Sequence, residues 1–175
     1  MKRIRACLCL VLLLVCWQPA WADDIRELTW AELIPPGAPP EIPDMQPIHD
    51  LSKLASGLAE AAPAVKQKMR NAPVVQALDG KRIRMPGYIV PLDVNEQGRT
   101  TDFLLVPYFG ACIHVPPPPS NQIVHVTSKV GVKVDDLYQP FWIEGPMQVQ
   151  PTESELANAG YQIDASKIYP YELPD

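Results

Sequence analysis

KRIRMPGYIVPL, residues 81–92, is the stretch that decides the fold. Ile83, Met85, Gly87 and Ile89 fall two apart, and a strand sends alternate side chains to opposite faces, so this set lines one face. Gly87 interrupts that apolar row, and a glycine inside a strand marks a bulge or a sharp bend of the kind small barrels use to curl. Asp79-Gly80 ahead of it is a turn signal. Beyond it, Asn95-Glu96-Gln97-Gly98 reads as a hairpin loop and residues 101–106 as the returning strand. Further strands are expected over 122–127 and 139–145, with 147–150 extending the latter or forming another. Residues 129–138 read as a connecting loop and 161–169 as a last short strand. Thr152 and Glu155 fit a capping box, which predicts a short helix to Ala159 with Gly160 as its stop. The pattern predicts a mostly β (α+β) chain: a small curled antiparallel β-barrel, OB-like in type, with an N-terminal helical arm. The alternative is an open antiparallel sheet packed on the N-terminal helices.

Composition divides the chain into a signal peptide (1–22), a proline-rich and helical N-terminal arm (23–73) and a β-barrel-like domain (74–175). Lys2, Arg3 and Arg5 precede an apolar run, and Ala20-Trp21-Ala22 offers a cleavage site, the pattern of a secretory leader. The run, residues 6–16, falls short of the ~20 residues that span a bilayer. No second apolar run is long enough to cross, so the expected address is periplasmic, with no membrane span after cleavage. In the arm, Leu28, Trp30 and Leu33 offer an apolar patch on a short helix that Pro35-Pro36-Gly37 ends. Pro39, Pro40, Pro43 and Pro47 give the following stretch polyproline character. The arm is expected to dock on the domain through its tryptophan rather than to tether a partner. Residues 50–70 are expected to be helical, with Asp50 as N-cap, Leu51, Leu54, Leu58 and Ala62 at helical spacing, and Pro63 dividing the helix.

Losing the leader changes two properties. Cys7, Cys9 and Cys16 depart with it, leaving Cys112 as a lone thiol in a compartment where disulfides are usual. Three basic residues also depart, so the remainder is more acidic than the net charge of −5 of the whole chain. That balance argues against nucleic acid, whose phosphates must be neutralised by Lys and Arg.

The chemistry-bearing stretch is FLLVPYFGACIHVPPPPSNQIVHV, residues 103–126. Cys112 and His114 are two apart and share a face if extended. His125 returns on the next strand beside Ile123, opposite Val124 and Val126. Thiolate and imidazole suit zinc, and Cys112, His114 and His125 would leave one coordination position open. Asp93, Asp102 and His49 are candidates for a fourth ligand, and Asn121 or Gln122 for support of the histidines. Copper is the competitor, since one Cys, two His and a distant Met147 match a blue-copper set, although prolines stand where that set's usual spacing has its ligands. A lone cysteine is also often a small buried hydrophobe, and His114 could be structural. Nucleophilic catalysis lacks an orienting third group, so no enzyme is expected. Pro116, Pro117, Pro118 and Pro119 form a stiff run ending near Asn121, and this loop could instead dock a partner protein without metal. Completion of the site by a second copy in a homodimer also stays open.

GKRIRMPGYIVPL (80–92), the 103–126 stretch and FWIEG (141–145) resemble a bacterial family of small exported proteins known chiefly as a domain of unknown function. The resemblance covers residues 74–170, with GACIHVPPPP its most specific part. Some members are encoded beside MacB-like ABC transporter components and linked to zinc supply. The resemblance implies a periplasmic zinc-binding accessory of such a system, with the family's motif falling on Cys112, His114 and Pro116 to Pro119. With no nucleotide-binding motif, the chain would be the soluble partner of the transporter components or of another periplasmic protein.

Overall fold

Gly87 is the point at which one strand serves two sheets. The computed structural model describes residues 25–38, 66–112 and 115–172. Its strands are β1 (Arg26–Glu27), β2 (Arg82–Pro91), β3 (Arg99–Val106), β4 (Val124–Lys133), β5 (Phe141–Gln148), β6 (Thr152–Glu153), β7 (Asn158–Ala159), β8 (Tyr161–Ala165) and β9 (Lys167–Pro170). β2 pairs antiparallel with β5 from Arg82 to Gly87, then with β3 from Tyr88 to Pro91. A Cβ on Gly87 would lie 2.8 Å from Leu105 Cγ and 2.9 Å from both Trp30 Cζ2 and the Val106 carbonyl oxygen. Only glycine lets the strand bend that close to its neighbours.

The bend closes the sheet. The circuit runs β2–β3–β4–β8–β5 and back to β2, a closed mixed barrel in which β4 and β8 alone run parallel. That strand order, with the third and last barrel strands parallel, is the OB connectivity. Ile83, Met85 and Ile89 face the interior with Phe103, Leu105, Val124, Val126, Phe141, Ile143, Met147, Tyr161 and Ile163. The expected face of β2 is therefore the core face. A smaller apolar cluster lies outside the barrel, built on Val90, Leu104, Val106, Ala111, Ile123, Ala157 and Ala159.

The arm docks where it is described. β1 lies parallel on β2, and Leu28 and Leu33 are fully buried in the barrel core. A 3-10 turn, Trp30–Leu33, replaces the expected α-helical one. Trp30 Nε1 donates to the Pro86 carbonyl at 2.8 Å, and Gln122 Nε2 donates to the Trp30 carbonyl at 2.9 Å. The helix expected over 50–70 falls mainly outside the described residues; its last five, 66–70, carry no helix.

Two local expectations are corrected, and one left open between alternatives is decided. β4 continues to Lys133 and a 3-10 turn follows at Val134–Asp136, where a loop was expected from 129. The continuation is possible because Gly131, at φ 68°, passes tightly against Thr100 of β3. β5 is one strand through Gln148, with no break before Met147. Residues 152–159 form the β6–β7 hairpin rather than a helix. Ser154 Oγ donates to the Ala157 carbonyl and accepts from the Ala157 amide, holding a turn instead of capping a helix. Asn158 is held by Gln67 and Arg70.

Candidate functional site

The site is built on the outer face of the β3–β4 pair. Between Thr100 and Asp102 the register with β4 shifts, so Thr100 pairs with Val132 but Asp102 with Thr127. Bulges of this kind re-aim side chains, often beside functional sites. The bulge is held firmly: Thr100 Oγ1 and the Leu92 amide donate to the Asp102 carbonyl at 2.9 and 3.0 Å. Past it, Leu104 stands opposite His125. His125 thus shares the outer face with Ile123, while Val124 and Val126 enter the core, as the alternation required.

His125 Nε2 lies 2.6 Å from Asp102 Oδ1. The imidazole is 14 % exposed and the carboxylate 46 %. His125 Nδ1 is buried and has no hydrogen-bond partner among the described residues. A buried imidazole nitrogen normally finds a partner, so this atom calls for one beyond the described residues, in chain, water or ion.

Cys112 arrives on the loop after β3. Gly110, at φ 81°, and Cys112, at φ 66°, both take the left-handed conformation, and the Val115 amide returns to the Gly110 carbonyl at 3.2 Å. The backbone thus turns at Gly110 and at Cys112 rather than continuing the extended conformation of β3. Cys112 is partly buried and packs on the outer cluster that contains Leu104 and Ile123, the immediate neighbours of His125. Burial pushes its thiol up to about 12. His114 lies outside the described residues, as does His49.

The proline run is half embedded. Pro117 and Pro118 are buried while Pro116 is exposed. Gln67 Nε2 donates to the Pro118 carbonyl at 2.9 Å, and the Tyr108 hydroxyl donates to that of Pro116 at 3.4 Å. Asn121 is buried, its Nδ2 donating to the Pro73 carbonyl, and Gln122 serves Trp30; neither side chain supports a histidine in these bonds. Asp93 Oδ1 accepts from the Val94 amide. Met147 is fully buried in the barrel core, the wrong side of the sheet for a ligand beside His125.

Zinc matches these donors in kind, since it accepts thiolate sulfur and imidazole nitrogen. Among the described residues no three His, Cys, Asp or Glu side chains group closely enough to hold an ion. A third donor for a site built on Cys112 and His125 would have to come from outside the described residues, where His114 and His49 both lie. The residue that sequence reasoning placed differently is Asp102, read as a candidate ligand but found bonded to His125. Its place beside His125 follows from the β3–β4 register, which sets Asp102 opposite Thr127, and strand alternation alone does not give that register.

Residues 30–170 match a protein family described as "Protein of unknown function (DUF3299)". The chain belongs to the DUF3299 family. A crystal structure at 2.45 Å of a DUF3299 family protein from Pseudomonas aeruginosa PAO1 is similar at 59 % identity, covering 87 % of this chain and 99 % of that one, with a TM-score of 0.74. No curated protein matches the sequence. The DUF3299 match takes in Trp30 and Leu33 of the arm, in keeping with their packing on the barrel. Among the described residues no helix is long and apolar enough to cross a membrane.

Proposed function

We propose that this DUF3299 chain is a periplasmic zinc-binding accessory protein, a binder rather than an enzyme, serving metal homeostasis with an ABC-type transport system. The donors are the thiolate of Cys112 and the imidazoles of His114 and His125. The observation that carries the reading is the buried, unpartnered Nδ1 of His125, on the outer face where Cys112 packs against the neighbouring side chains. A thiol held protonated by burial must release its proton to bind, so uptake is coupled to proton release and weakens as pH falls. The periplasmic address rests on the leader pattern of residues 1–22, and the transporter link on the family resemblance.

The decisive experiment is metal content of the chain exported with its own leader and purified without a metal-binding tag. About one zinc per chain, lost in Cys112→Ser, supports the reading. Retention in His125→Ala would remove His125 alone. Absence of zinc or copper binding at micromolar metal would sink the proposal.

A second reading, a metal-free docking module, draws on a specific feature. Phe109 is 61 % exposed beside exposed Val115 and Pro116, and it stacks edge-on to Tyr88 at a centroid distance of 5.8 Å. On that reading the purified chain holds no zinc, and Pro116→Ala together with Phe109→Ala abolishes partner capture. Thiol-redox and copper-handling readings draw less support, because a thiol raised by burial is a poor nucleophile and Met147 is sealed in the core.

A further inference from the structure

We infer that Asp102 is the positioning residue of this site: its carboxylate fixes the tautomer and orientation of His125, so that the Nδ1 lone pair faces the buried side. The inference rests on the zinc reading for its purpose, and on geometry for its substance.

Asp102 Oδ1 and His125 Nε2 are 2.6 Å apart, a hydrogen bond slightly shorter than the usual charge-assisted N–H···O distance. The carboxylate reaches solvent, so its ionised form is well hydrated and it can only accept. Nε2 must then be the donor. With that proton placed, the neutral ring carries its lone pair on Nδ1. The alternative puts an N–H at a buried atom that has no acceptor among the described residues. Orphaned buried donors are the rarer and costlier case.

The carboxylate cannot easily swing away, because its own backbone is clamped. The Asp102 carbonyl accepts from Thr100 Oγ1 at 2.9 Å, from the Leu92 amide at 3.0 Å and from the Asp93 amide at 3.4 Å. The regular ladder from Asp102 to Leu105 sets Asp102 diagonal to His125, and these bonds tie that end of the ladder to the residues that follow β2. Histidines that bind metal through one nitrogen commonly donate the other N–H to a carboxylate, which orients the ring and raises its basicity. Asp102 supplies that arrangement before any metal arrives.

The test uses the chain exported with its own leader, labelled with 15N-histidine and stripped of metal with a chelator, with His125→Gln to assign the ring signals. Two-bond 1H–15N spectra should show His125 protonated at Nε2 and bare at Nδ1. Asp102→Ala, which removes the acceptor, and Asp102→Asn, which can donate or accept, should both shift the ring towards a tautomer mixture. Both variants should lose about 10- to 100-fold in zinc affinity while keeping the far-UV spectrum of the parent. A proton on Nδ1 in the parent, or variants that leave tautomer and zinc affinity unchanged, would overturn the positioning role. A parent chain with the Nε2–H tautomer that takes up no zinc would overturn the zinc reading instead, and Asp102 would stand as the orienting partner of His125.

Discussion

Cys112 combines two costs in one residue. Its φ of 66° is a conformation that costs an L-residue about 1–2 kcal/mol, and burial pushes its thiol up to about 12. In metal-free protein at pH 8 the thiolate fraction is then roughly a thousandfold below that of an ordinary cysteine, and iodoacetamide alkylation should slow accordingly. Labelling within tenfold of the urea-denatured chain would contradict this. The same burial sets a pH dependence. Below about 9 both states hold the proton and the contribution to stability is complete. Between there and 12 the unfolded thiol ionises while the folded one does not, so stability falls as pH rises. The slope should approach ~1.4 kcal/mol per unit, and Cys112→Ser should remove it. Chemical denaturation at pH 8 and 10.5, parent against variant, measures the difference and cancels the tyrosines common to both. At this scale the sequence reveals residue types well: a lone thiol and a histidine on an apolar strand both stood out. It conceals the turns after β3, where Gly110 and Cys112 are both left-handed. It also conceals the partner of His125, because alternation gives the face of each strand and not the register that sets Asp102 opposite Thr127 and diagonal to His125.

Strand elements are legible where one physical cause dominates. β2 follows from its alternation and from Gly87, and both claims are open to measurement. Gly87→Ala would force a methyl against Leu105 and the Val106 carbonyl, and should cost about 1–3 kcal/mol in urea denaturation. An unchanged midpoint would mean that the strand crossing is looser than these distances. Tyr161 tests the link between β8 and the segments that precede the barrel. Its buried hydroxyl donates to the Leu33 carbonyl and accepts from the Val75 amide, both at 2.7 Å. Tyr161→Phe leaves both groups unpaired, and a loss of about 1–3 kcal/mol is expected; a loss under a few tenths would mean that water replaces the hydroxyl. Residues 152–159 show where local reading fails. Thr152 and Glu155 fit a capping box, but tertiary bonds from Gln67 and Arg70 to Asn158 hold the segment as a hairpin. A helix signal from two residues is weak against a ladder and a buried network.

Burial does not stop at residue 74, where the composition changes from proline-rich arm to alternating strands. Leu28 and Leu33 are core residues, the Leu28 amide donates to the Arg84 carbonyl at 2.9 Å, and Trp30 covers the bend at Gly87. The barrel alone would expose the surface these side chains cover. Each buried leucine contributes about 1.5–3 kcal/mol, and the tryptophan adds its area and a hydrogen bond, against a total stability of roughly 5–15 kcal/mol for a domain. Deleting residues 25–38 should therefore remove most of the margin, giving a chain that unfolds without a sharp transition or collects as insoluble protein. Leu33→Ala provides the graded version, with an expected loss of about 2–5 kcal/mol and the same folded spectrum. Calorimetry on the deletion and on the point variant measures both. A deletion variant with the parent's melting temperature would show that the arm merely rests on a barrel that is stable alone. A graded loss in Leu33→Ala, with collapse in the deletion, would show that arm and barrel fold as one unit. The Cys112 loop would then depend on the arm, because Gln122 at the end of the proline run holds the Trp30 carbonyl.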